Sequence, residues 1–220
     1  MGLATAIAVM MLIDVIVEVC TGVNSFVTIS VMKRVIAGEV VPQEELTAID
    51  MRTGALALLG VPFMLAAGLL FCFFMPRANR NASAFGSLMT ISPGWTVGWW
   101  FVPIANLWMP YHAMKEMWQG SDPDPTVPMV SVPAPAVMKW WWGMYLVHSF
   151  SGWAPMLAGG KENRQAQDLV NAATIEIVTS VISIAAALLA AATVRGLARR
   201  QEERRKRAPG PQVATAGAAL

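Results

Sequence analysis

Asp14 and Glu18 stand four residues apart in the first apolar run, so a helix puts both carboxyls on one face. Glu18 precedes Lys33 by fifteen residues, roughly 22 Å of helix, which is near the middle of a bilayer core about 30 Å thick. Ionisable groups at that depth are costly and face a bundle interior or water. Two more fall inside apolar runs, His148 and Glu176. Brought together, the four would form an intramembrane polar cluster able to pass protons or cations. At least one carboxyl would then be protonated, because two buried like charges resist ionising together. The structural alternatives are acids paired near an interface and a histidine bonded to a backbone carbonyl.

His112 and Glu116 repeat the four-residue spacing on a segment that turns amphipathic. As chemistry this is a metal or haem ligand pair; the preferred reading is an interfacial helix with Trp118 among head groups. Asn106 lies between Pro103 and Pro110. Each proline frees a carbonyl one turn earlier, and an Asn side chain offers both donors and an acceptor to such groups. Pro103, Asn106, Trp108 and Pro110 therefore read as a helix-kink motif, with a gate or binding notch as the functional alternative. Thr179, Ser183, Ala187 and Ala191 recur every four residues, a small-residue stripe for close helix packing within the bundle or against another chain. Cys20 and Cys72 have no CxxC partner and read as buried free thiols. No nucleotide loop, nucleophile elbow, zinc motif or haem-attachment site occurs, so neither a metal nor a cofactor is expected and an enzyme ranks low.

The elements that must position these residues follow from composition. The chain has 220 residues, 55% hydrophobic and only 14% charged. A soluble domain carries about a quarter charged residues, so this surface would leave large apolar patches in water. The expectation is an all-α polytopic transmembrane bundle of about five spans. They are Leu3 to Met32, read as retained and not as a signal peptide, then Thr53 to Met75, Gly94 to Met114, Val137 to Leu157 and Leu169 to Val194. The second closes at Pro76, with Arg77 to Gly86 read as a polar loop. The third, broken by two prolines, is a kinked span by preference and a re-entrant segment otherwise. Residues 1–200 make one helical domain; 201–220 are a basic and then small-residue tail, expected to be disordered.

With five spans the Lys and Arg residues divide 12 to 4 in favour of the side carrying the C-terminus. The positive-inside rule then puts the C-terminus in the cytoplasm and the N-terminus outside. With the third segment re-entrant the division is 11 to 5, and the C-terminus is again cytoplasmic. All nine tryptophans lie between Trp95 and Trp153. They suggest an aromatic belt, with Trp95, Trp99 and Trp100 at one interface and Trp140 to Trp142 at the other. Seven of the sixteen basic residues lie between Arg195 and Arg207, where they would meet anionic lipid head groups. Nucleic acid is not an expected partner.

The run Trp99 to Trp118, with its Pro103-Ile-Ala-Asn106-Leu-Trp108-Met-Pro110 core and trailing Met114-Lys-Glu116-Met-Trp118, resembles the signature of a bacterial membrane family catalogued as domain of unknown function 4328. The resemblance extends over roughly Gly54 to Arg204 and includes the Arg195 to Gln201 region. It implies a multi-pass protein of the bacterial inner membrane and no activity. The leading functional expectation is thus a non-enzymatic subunit or interaction partner of a membrane assembly, with other membrane subunits or copies of itself as partners. A small transporter or proton/cation conduit using the intramembrane acids comes second, and a membrane enzyme third.

Overall fold

The computed structural model describes residues 2–151 and 165–207, and among these all regular structure is helical. The helices are α1 (Gly2–Ile36), α2 (Gln43–Ala84), α3 (Trp95–Gly98), α4 (Met109–Gly120), α5 (Ala136–Ser151) and α6 (Ala166–Arg207). Short 3-10 turns lie at Trp99–Phe101, Ala105–Leu107 and Met129–Ser131. Among the described residues, α1, α2 and α6 are long and apolar enough to cross a membrane.

Local chemistry ends these helices where they end. α1 carries Lys33 and Arg34 in its last turn, where cations complement the helix dipole. The chain then turns through Gly38 at φ +83, a left-handed conformation that glycine adopts without strain. Arg34 clamps this turn by donating to Glu39 at 2.6 Å and to Glu45 at 2.8 Å. α2 follows Pro42 with Glu44 and Glu45 in its first turn, and α6 ends in Arg204 to Arg207, each the favourable charge for its terminus.

α1 runs antiparallel to both α2 and α6. Ala4 and Ile7 near its start share a core with Met75 and Ala78 of α2 and with Val194 and Leu197 of α6. Val31 and Met32 near its end pack instead with Ile49 and Val170, at the starts of α2 and α6. The beginning of α1 and the end of α6 therefore occupy the same end of the bundle. α4 and the start of α5 join them there through Ala113, Met114, Met117 and Met138. That end is called the platform below.

Several expectations are corrected. The third hydrophobic stretch forms no continuous helix; it breaks into α3, two 3-10 turns and the start of α4. Its flanks meet, because the Ser87 hydroxyl donates to the Gly120 carbonyl at 2.7 Å and Thr90 bonds Glu116. The count of five spans is accordingly not confirmed. Pro76 does not close α2, which continues to Ala84 because Met75, Ala78 and Ala82 are buried. The expected tail at 201 begins as helix: α6 continues to Arg207, with Gln201 buried. The two tryptophan groups expected at opposite interfaces come together, with Trp100 edge-on to Trp142 at 5.8 Å. Both cysteines are free, but Cys20 is exposed on the outer face of α1. The end of the fourth expected span, Trp153 and residues 208–220 lie outside the described residues.

Candidate functional site

The signature segment is held by polar groups that hydropathy does not register. Glu116 on α4 is 9% exposed, yet its carboxylate is fully engaged. One oxygen accepts from the Thr90 backbone N–H and, at 2.6 Å, from the Thr90 hydroxyl; the other accepts from the Ile91 N–H at 3.2 Å. Asn79 of α2 donates to the Ile91 carbonyl at 2.9 Å, so the 90–91 strand of loop is fixed from both sides. Gln201 of α6 donates to the Ala78 carbonyl at 2.8 Å and the Ser121 hydroxyl at 3.0 Å, and accepts from Asn81 at 3.0 Å. One amide side chain thus ties α2, α4 and α6 together.

Arg200 closes the same platform. Its guanidinium pairs with Asp122, donates to the Trp118 carbonyl at 3.0 Å and lies 4.7 Å over the Trp118 ring. Burial pushes its pKa down and Asp122 opposes that shift. Trp118 is therefore a packing element against Gly196, whose missing Cβ would lie 3.3 Å from the ring, and not a free head-group anchor. Arg204 donates to the Asp122 carbonyl at 2.8 Å. Two residues of the basic run are thus spent on the loop after α4, while Arg195 and Arg199 stay exposed.

Between these parts lies an open cavity of about 790 Å³, lined by His112, Lys115, Glu116, Gln119, Asp122 and Arg204 among others. Leu88 and Val130 on its rim are 90% and 88% exposed. His112 and Glu116 share this cavity without forming a ligand set, since Glu116 is committed to residues 90–91. Among the described residues no group of three or more His, Cys, Asp and Glu is placed to hold a metal. Asp124 makes its own turn, accepting from the Thr126 hydroxyl at 2.7 Å and the Thr126 N–H at 2.9 Å, which lowers its pKa.

The other expected residues are distributed as follows. Asp14, on the same face of α1 as Glu18, also feels the charge of His148, which is exposed on α5. Glu176 is elsewhere: its carboxylate accepts from the Ser25 hydroxyl at 2.6 Å, eleven residues beyond Asp14 and about 16 Å along α1. Of the kink motif, Pro110 is buried at the start of α4, while Pro103 and Trp108 are exposed. The Asn106 side-chain oxygen is buried without a hydrogen-bond partner among the described residues. The Leu107 carbonyl is instead taken by the Trp142 indole N–H at 3.1 Å. Along α6, Ser183 and Ala191 are buried, and Thr179 and Ala187 are half-buried. Thr90, Gln201, Arg200 and Asp122 escaped sequence reasoning because their partners are 26 to 123 residues away; the family signature around Glu116 was the available signal.

Among the described residues these elements define an all-helical fold with three membrane-length apolar helices and a polar platform at one end. The chain matches the family described as Domain of unknown function (DUF4328) over residues 37–199, and it belongs to that family. The match includes α2 to α5 and most of α6, and thus the whole Glu116 network. No curated protein and no solved structure matches the chain.

Proposed function

We propose that this is a four-span protein of the bacterial cytoplasmic membrane that works without catalysis, as a subunit or partner-binding element of a membrane assembly. The observation that carries this reading is that residues 92–115 leave and rejoin the same end of the bundle. A span separates its ends by about 30 Å, whereas hydrogen bonds join these through Ser87, Gly120, Thr90 and Glu116. The segment is then re-entrant, reaching Phe71 and Tyr145 through Trp100. Exposed Phe101 and Ile104 face lipid. α1, α2, the run that begins with α5, and α6 make the four crossings. The 11 to 5 division of basic residues supports a cytoplasmic platform by the positive-inside rule. Arg195 and Arg199 then meet anionic head groups, each contributing about 1 kcal/mol.

The platform's buried acid is spent on Thr90 and Ile91, and Asp122 and Arg200 are spent on one another, which supports binding over catalysis. The open cavity with its apolar rim is the surface offered to a partner. A photo-crosslinking residue at Val130 in native membranes should give one discrete adduct, and mild detergent should release a species larger than the monomer. A lone monomer with no adduct sinks this reading. The second reading, a proton or cation conduit, is favoured by the electrostatic coupling of Asp14 to Glu18 and to His148. If Asp14→Asn with Glu18→Gln leaves every proton and cation flux unchanged, that reading is gone.

A further inference from the structure

At the end of the bundle opposite the platform, α1, α2 and α6 line a half-open cavity of about 550 Å³, in which Asp50 and Glu176 are exposed. Its walls are largely apolar, with Met32, Leu46 and Leu169 among them, yet two carboxylates line it, Asp50 and Glu176. Among the described residues no Lys, Arg or His lines it, and neither acid is in an ion pair. Glu176 is held in place: Ser25, 1% exposed, donates to one of its oxygens, and the other accepts no bond among the described residues. Behind the wall, Asn24 donates to the Thr53 hydroxyl at 2.9 Å, while its own side-chain oxygen is buried without a partner. Among the described residues the cavity thus carries two carboxylates with spare acceptor oxygens and no positively charged side chain.

We propose that this cavity binds an organic cation, an ammonium-type ion whose charge sits between Asp50 and Glu176 and whose apolar part lies against Met32, Leu46 and Leu169. A bare inorganic cation needs six or so oxygen ligands in one shell, whereas this wall is mostly hydrocarbon. The size and the pattern of a few polar groups in an apolar pocket are those of a small-molecule site. Attraction between opposite unit charges stays strong at the dielectric of a protein surface. Charge therefore selects the ligand, and apolar burial holds it. The site lies at the far end from the platform and stands independently of the partner-binding reading.

The test uses the full chain in nanodiscs of zwitterionic lipid, which removes adsorption of cations to anionic head groups. The probe is benzyltrimethylammonium, with neopentylbenzene, its uncharged carbon isostere, as control, both followed by saturation-transfer NMR. The cation should bind saturably and the isostere should not. Glu176→Gln and Asp50→Asn should each weaken binding about tenfold or more. Asp50 makes no hydrogen bond that the fold depends on, so its variant keeps the test valid should Glu176→Gln fail to fold. Equal binding of the isostere, cation binding untouched by Asp50→Asn, or no saturable binding to the wild-type chain would each overturn the proposal.

Discussion

Replacing Glu116 with alanine should free Thr90 and Ile91 from α4 without unfolding the bundle. The Glu116 carboxylate accepts three hydrogen bonds from Thr90 and Ile91. A hydrogen bond to a charged group is worth about 1.5–3 kcal/mol, and bonds that share one acceptor do not add fully. We therefore expect Glu116→Ala to cost about 3 kcal/mol of local stability. Since 1.4 kcal/mol is a factor of about ten, amide exchange at Thr90 and Ile91 should accelerate by about two orders of magnitude. Glu116→Gln keeps one oxygen for Thr90 but turns its NH2 group towards the Ile91 N–H. It should cost about half as much, with exchange roughly tenfold faster. Hydrogen exchange read by mass spectrometry across residues 85–92 measures this directly. All nine tryptophans lie between Trp95 and Trp153, so their fluorescence shows whether the rest of the signature segment opens too. Unchanged exchange in Glu116→Ala would refute the claim that this carboxylate closes the loop.

Three further outcomes follow from the same geometry. Gly120→Ala puts a Cβ 3.1 Å from that of Ser87 and 3.2 Å from the Met89 sulfur, an overpacking expected to cost about 1–3 kcal/mol. Gly54→Ala meets nothing within 4 Å and should be neutral or stabilising by up to about 1 kcal/mol; thermal unfolding in detergent compares the two. Arg200→Ala strands the mostly buried Asp122 carboxylate and uncovers Trp118, costing about 2–4 kcal/mol. Arg200→Lys should recover only part of it, because an ammonium cannot bond the Asp122 carboxylate and the Trp118 carbonyl with one planar fork. Asp124 has its pKa lowered, chiefly by the Thr126 hydroxyl and N–H. Its contribution to the 122–126 turn is thus fully present above the ordinary Asp value near 3.9 and is lost as pH falls through the lower folded value. Thr126→Ala should move that transition upward in an NMR titration of the Asp124 carboxyl.

The long helices were legible because their cause is local. Uninterrupted apolar runs, Lys33 and Arg34 in a last turn and Glu44 and Glu45 in a first turn mark α1 and α2 from neighbouring residues alone. The limits of those helices were not legible. Pro76 and Arg77 signal an end locally, but the burial of Ala78 and Ala82 and the Gln201–Ala78 bond carry α2 on to Ala84. Among candidate residues, the pairing of Asp14 with Glu18 followed from helical spacing. The separation of Glu176 from that pair did not, because it depends on which part of α1 lies beside α6.

By itself the sequence determined that the chain is helical, apolar enough for a bilayer, and a carrier of the family signature between Trp99 and Trp118. Composition and short-range periodicity suffice for that, since both sum over neighbouring residues. That Gly94 to Met114 forms no continuous helix was decided only in three dimensions. Its hydropathy is that of a span, but Ser87 meets Gly120 and Thr90 meets Glu116, so its two flanks lie together at one end of the bundle. Those bonds join residues 26 and 33 positions apart, beyond the reach of any local sum. The same holds for the two carboxylates opposite the platform: Asp50 and Glu176 line one cavity only because three helices converge there.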